Sequence, residues 1–120
     1  MRVLLTEHDP VLADVLTDFL RDEGHIVTHA ADIRQAASLA RSIGWDVCIL
    51  DPGGDSFFEL TDAEAAELRR LGANGPVVVT TGRAWAHRAE PAQLGVRAIL
   101  PKPFDLGELV QILEAVARQQ

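Results

Sequence analysis

Cysteine is almost absent from this sequence, with Cys48 the only one in 120 residues. A lone cysteine excludes an internal disulfide and a thiolate metal cluster. Its setting, in the mostly apolar run Trp45-Asp46-Val47-Cys48-Ile49-Leu50, reads as that of a small buried hydrophobe. Long hydrophobic runs are missing too. No stretch approaches the roughly 20 apolar residues that a membrane-spanning helix requires. The start, Met1-Arg2-Val3-Leu4-Leu5, is interrupted at once by Glu7-His8-Asp9 and is too short for a signal peptide. These absences predict a soluble cytoplasmic protein with no membrane partner. Positive charge is in deficit, with a formal net charge of −7. Arg34, Arg41, Arg69, Arg70, Arg83 and Arg88 are scattered and form no basic face, which argues against direct nucleic acid binding. The Arg69-Arg70 pair reads as solvated helix surface. The acidic balance alone implies only solubility.

The 48% of hydrophobic residues suffices for one core, and the length fits one domain over residues 1–120. Short apolar runs alternate with amphipathic ones, the pattern of a parallel sheet covered by helices. Runs at 2–6, 25–29, 45–50, 76–80 and 98–100 read as strands. Asp9-Pro10 opens a helix with Asp9 as N-cap, and Val11, Leu12, Val15, Leu16, Phe19 and Leu20 recur at helical spacing. Asp32 with Gln35, Thr61 with Glu64 and Asp105 with Glu108 mark three more helix starts by their capping-box spacing. From Gly82 to Gly95 the pattern is ambiguous: Ala84 to Ala89 favours helix but Pro91 removes a backbone donor, so that segment is predicted to be a short or irregular fourth helix. The segment from Pro52 to Leu60 has no period and reads as a loop, whose Gly53-Gly54 suggests mobility. The chain is therefore a doubly wound α/β domain with five parallel strands. In such sheets ligands sit at the C-terminal ends of the strands.

Those ends carry chemistry. Strand one ends in Glu7-His8-Asp9, strand three in Asp51, strand four in Thr80-Thr81-Gly82 and strand five in Pro101-Lys102-Pro103. The sheet gathers carboxylates, a hydroxyl and an ammonium that the sequence keeps apart. A carboxylate can attack phosphorus and hold an acyl phosphate. A second carboxylate suits Mg²⁺, which prefers oxygen ligands. Hydroxyl and lysine can meet phosphoryl oxygens. No glycine-rich phosphate loop follows strand one, which argues against a flavodoxin-like nucleotide or cofactor binder.

Over nearly its whole length the sequence resembles the receiver domains of two-component response regulators. Asp51 matches the family's phosphoacceptor, Thr81 its hydroxyl residue, Gly82 the small residue after it, Lys102-Pro103 its Lys-Pro pair, usually joined by a cis peptide bond, and Glu7 the first of its acidic pair. The spacings also suit the family: 81 − 51 = 30 and 102 − 81 = 21. The resemblance implies a flavodoxin-like receiver fold with strand order 2-1-3-4-5. It implies a phosphoryl group passed to Asp51 from a histidine kinase or phosphotransfer protein, with Mg²⁺ held by Glu7, Asp51 and the backbone carbonyl of Gly53. Thr81 would then move toward the phosphate and reshape the face of helix four, strand five and helix five toward a downstream protein target. Such transfer is self-modification and does not make the chain an enzyme in the ordinary sense.

Two positions depart from the family. His8 stands where a second acidic ligand is usual, and imidazole suits Zn²⁺, Cu²⁺ or Ni²⁺ better than Mg²⁺. Ile99 stands where an aromatic switch residue is usual. Three readings therefore stay open: metal-assisted phosphorylation, a degenerate receiver acting as a phosphorylation-independent interaction module, and a site for a different metal. Elsewhere, His25, His29 and His87 read as surface residues and Trp45 as a packing residue. Trp85 reads either as a partner anchor or as a cover for the core.

Overall fold

The structure, a computed structural model, describes residues 1–119. Strands β1 (Arg2–Thr6), β2 (Ile26–Ala30), β3 (Val47–Leu50), β4 (Val77–Thr81) and β5 (Ala98–Pro101) alternate with helices α1 (Pro10–Asp22), α2 (Ile33–Ser42), α3 (Asp62–Gly72) and α4 (Leu106–Arg118). All pairings are parallel, in the order β2-β1-β3-β4-β5. The predicted irregular fourth helix is two 3₁₀ turns, Ala84–His87 and Pro91–Leu94, with Pro91 opening the second.

The helix starts follow from local chemistry. Asp9 accepts from the N–H groups of Val11 and Leu12, with Pro10 in the first turn. Thr61 with Glu64, and Asp105 with Glu108, each form a reciprocal capping box. In α2 the Asp32 side chain accepts from Gln35 N–H, but Gln35 Oε1 reaches past the cap to Ala31 N–H at 2.5 Å.

Strand residues alternate between two cores, as a two-residue period demands. Leu4, Cys48, Leu50, Val77 and Val79 face one side, packed with Ala36, Leu68, Leu71 and Trp85. Val3, Leu5, Val47, Ile49 and Val78 face the other, packed with Leu16, Leu20, Leu109 and Leu113. Trp85 thus covers the core, and the guanidinium carbon of Arg83 lies 5.5 Å from its ring centroid. Cys48 is fully buried, and desolvation pushes its thiol up to about 12. The stripe read along α1 is narrower than its six residues suggested. Leu16 and Leu20 are buried with Ala13 and flanked by Leu12 and Phe19, whereas Val11 and Val15 lie exposed. Among the described residues, no helix is long and apolar enough to cross a membrane.

The topology places the site. The chain's winding reverses between β1 and β3, and a crevice opens at the C-terminal ends of strands beside such a switch. Glu7 follows β1 directly, and Asp51 follows β3, its N–H bonded to Thr6 O at 2.9 Å so that the ladder extends to the site.

Candidate functional site

Four strand ends converge as the sequence predicts. The Lys102 ammonium sits between two buried carboxylates, with Nζ 2.6 Å from Glu7 Oε1 and 2.9 Å from Asp51 Oδ2. Only 1% of the Glu7 side chain and 4% of the Asp51 side chain are exposed, so the lysine is the counter-charge that makes their burial tolerable. Backbone donors complete the pair, with Asp9 N–H on Glu7 Oε2 at 3.1 Å and Gly53 N–H on Asp51 Oδ1 at 2.9 Å. Lys102 is held in turn by its own N–H, bonded to Thr81 O at 2.8 Å, and the Lys102–Pro103 peptide is cis. Thr81 ends β4 buried, and its Oγ1 accepts from Arg83 N–H at 3.1 Å. An open cleft of about 290 Å³ lies over Asp51, bordered by Thr81, Lys102, Gly53 and Phe57.

His8 reaches the same cluster from outside. Its Nδ1 lies 2.9 Å from Asp51 Oδ2 and 3.6 Å from Glu7 Oε2, while most of the ring is in solvent. Ligand atoms of Glu7, His8 and Asp51 lie within 4.8 Å of one another. Two buried carboxylates against one ammonium leave a net negative pocket. Glu7 and Asp51 supply the hard oxygen donors that Mg²⁺ takes, so the acidic part of the site fits a divalent cation. The nitrogen donor is the part that departs from a pure oxygen set.

The charges set a pH profile. Burial alone would raise the Asp51 carboxyl, but hydrogen bonds from Lys102 and Gly53 N–H, with the charges of Lys102 and His8, bring it below the ordinary value of 3.8. Burial alone would lower the Lys102 ammonium, but its bonds and charge contacts with Glu7 and Asp51 carry it above 10.5. A depressed carboxyl contributes stability that is present above its unfolded pKa and is lost as pH falls through the folded one. A raised ammonium contributes stability that is present below its unfolded pKa and is lost as pH rises through the folded one. The contributions of the Asp51 and Lys102 shifts should therefore be in place from about pH 5 to about pH 9 and fall away on both sides. Urea unfolding in a chelator across that range checks this. A slope at neutral pH that Lys102→Met leaves unchanged would assign the dependence to other groups.

One residue at the cleft escaped the sequence reading. Arg83 stood among the scattered arginines, yet its side chain is only 10% exposed and ties down the β3–α3 loop. It pairs with Glu64 and donates to the carbonyls of Gly53, Ser56 and Glu59. The loop expected to be mobile is thus held along its length, with Ala84 N–H on Phe57 O at 2.7 Å and Arg88 Nη2 on Phe58 O at 2.5 Å. Gly54 serves this arrangement. Its φ is +98°, and a Cβ there would collide with the Arg83–Glu64 pair. The exposed Phe57 and Phe58 stack edge to face on that loop, ring centroids 5.0 Å apart. The one sequence hint was position, since Arg83 follows Thr81-Gly82 at a strand end.

Comparison with known proteins agrees with this geometry. Residues 3–114 match the family model of the response regulator receiver domain. The transcriptional regulatory protein TcrA of Mycobacterium tuberculosis is 34% identical over 99% of this chain and 47% of its own length. The transcriptional regulatory protein QseB of Escherichia coli O157:H7 is 35% identical over 99% of this chain and 54% of its own. The chain thus spans about half the length of these curated relatives. Among solved structures, the receiver domain of sensor histidine kinase PA1611 from Pseudomonas aeruginosa, with a magnesium ion coordinated in its active site cleft, superposes with a TM-score of 0.75. It is 29% identical, over 97% of each chain. A two-component response regulator from Clostridium difficile, 19% identical over 98% of this chain and 96% of its own, shares the fold with a TM-score of 0.77.

Proposed function

The chain belongs to the response regulator receiver domain family, and on that premise we propose that it is a signalling domain whose Asp51 accepts a phosphoryl group from a histidine kinase or phosphotransfer protein. The observation that carries the reading is the Lys102 ammonium, bonded at once to Glu7 and Asp51 on the floor of the cleft. An Asp51 oxygen forms the new O–P bond as the donor's P–N bond breaks, and the electron pair stays on the donor's imidazole. Lys102 neutralises charge beside the acceptor. The Thr81 hydroxyl, which accepts from Arg83 N–H, donates its O–H in a hydrogen bond to a phosphoryl oxygen and keeps its proton. Mg²⁺, when bound, neutralises charge on the transferring group, and Glu7, Asp51 and the Gly53 carbonyl would hold it, with His8 beside them.

The donor has a surface to meet. Beside the phosphoacceptor cleft runs an apolar groove of about 460 Å³ lined by Leu12, Val15, Phe104 and Leu106, and it shares Lys102 with the cleft. The exposed Val11 and Val15 extend that face of α1. Output passes through the 3₁₀ turns, β5 and α4 to a protein target. A net charge of −7 disfavours nucleic acid contact by this domain, and its work is cytoplasmic. The transfer is self-modification and not turnover of a substrate.

A second reading is supported by a specific contact, His8 Nδ1 against Asp51 Oδ2. In a degenerate receiver that imidazole would stand in the metal's place, and the domain would bind its partner without phosphate chemistry. Intact mass after incubation with acetyl phosphate, with and without Mg²⁺, separates the two. One added phosphoryl group that needs Mg²⁺ and is lost in Asp51→Asn is the expected result. No gain in the native chain together with a gain in His8→Asp would establish the binding module instead.

A further inference from the structure

We propose that the Arg83 guanidinium competes with a divalent cation for the carbonyl oxygen of Gly53, so that Arg83 sets the cation affinity of the Asp51 pocket. The proposal rests on the reading that Glu7, Asp51 and Gly53 together form the cation site. A guanidinium has five N–H donors in a fixed fork, and every one is placed. Nε donates to Ser56 O, Nη1 to Gly53 O at 2.6 Å and Glu64 Oε2 at 2.5 Å, and Nη2 to Glu59 O at 2.7 Å and Glu64 Oε1 at 3.1 Å. Arg83 is therefore not a passing surface contact but a residue whose position is fixed from several sides.

The carbonyl keeps a second lone pair, so geometry alone does not forbid a shared oxygen; charge does. A Mg²⁺–oxygen bond is about 2.1 Å long, which would bring the two positive centres within roughly 5 Å on one half-buried oxygen, where repulsion is weakly screened. Binding a cation through Gly53 therefore requires Nη1 to withdraw. Because the fork is rigid, that withdrawal displaces the whole guanidinium and loosens its bonds to Ser56, Glu59 and Glu64 as well, which adds to the cost of binding the cation. The arrangement is specific to this pocket. Lys102 already holds Glu7 and Asp51, and His8 already holds Asp51. Arg83 adds a donor at the remaining oxygen, so each protein ligand in the proposed cation site has an internal occupant.

The test reads cation binding directly and needs no phosphorylation. Free Mn²⁺ is followed by electron paramagnetic resonance in titrations of the native chain, Arg83→Met and Glu7→Gln, with Mg²⁺ as competitor. Arg83→Met should bind about tenfold more tightly than the native chain, as expected when one charge-assisted hydrogen bond stops competing. Glu7→Gln should bind more weakly than either. Equal or weaker binding by a folded Arg83→Met overturns the proposal, as does a failure of both native and Arg83→Met chains to bind. Should Arg83→Met not fold, the ¹⁵N resonances of the Arg83 side chain in the native protein decide. They should shift together with the Gly53 amide as Mg²⁺ is added, and a Gly53 shift with Arg83 unmoved overturns the competition. If Asp51 takes no phosphoryl group while Arg83→Met gains affinity, the phosphoacceptor reading alone falls.

Discussion

Replacing Lys102 with methionine should lower the stability of the domain by about 2 to 3 kcal/mol at pH 7, with most of that deficit recovered near pH 5. The ammonium bridges Glu7 and Asp51, whose side chains are 1% and 4% exposed. Without it, two carboxylates share a half-closed pocket with only backbone donors and the solvent-facing His8. Like charges at this range cannot both stay ionised cheaply, so the variant pair takes up a proton as pH falls. That uptake relieves repulsion, and the folded state gains relative to the unfolded one on acidification. The native cluster shows no such gain, because its Asp51 is held low and its Lys102 high. Urea unfolding of both chains at pH 7 and pH 5, in a chelator, is the measurement. An equal deficit at both pH values would show that methionine cost packing and that the charge was immaterial.

The second large effect belongs to Glu64. Glu64→Ala should cost about 2 to 3 kcal/mol, because it leaves the Arg83 guanidinium among carbonyls with no counter-charge and removes half of the capping box with Thr61. The Glu64 carboxyl is held below its usual value of 4.5, first by the Arg83 hydrogen bond, partly opposed by burial, and further by Thr61. Its contribution is thus present above about pH 4.5 and fades below it, and the gap between native and variant should close in acid. Glu64→Gln keeps an acceptor for Thr61 N–H and should fall between the two. Chymotrypsin gives an independent readout. It recognises Phe57 and Phe58, which are exposed yet have pinned backbones. Slow cleavage there in the native chain and fast cleavage in Glu64→Ala is expected. A variant cut no faster would mean that the loop does not depend on the clip.

These two predictions also mark where sequence reading succeeds and where it stops. Lys102, Glu7, Asp51 and Thr81 were legible because each lies at the end of an apolar run, and parallel order sends those ends to one edge. Asp9, Asp32, Thr61 and Asp105 were legible because a cap acts within three residues of itself. Pro91 forecast the broken fourth helix for the same local reason. Arg83 was not legible, since its partners at 53, 56, 59 and 64 meet it only after β3 and β4 pair. The same distance effect misled the loop reading, where two glycines looked like slack and Gly54 is instead the room an ion pair needs. On α1 the periodicity found the helix but overstated the buried face, because Val11 and Val15 share the spacing without sharing the burial.

Cys48 has a use in pursuing all of this. With its thiol fully enclosed and pushed up to about 12, it carries almost no thiolate at neutral pH, the form that reacts with maleimides and iodoacetamides. A cysteine introduced on an exposed position such as Ser38 or Asp55 would be the one site such reagents find in the folded protein. Spin labels and fluorophores can therefore be placed singly on the native background, and motions of the β3–α3 loop can be followed without first removing a residue from the central strand.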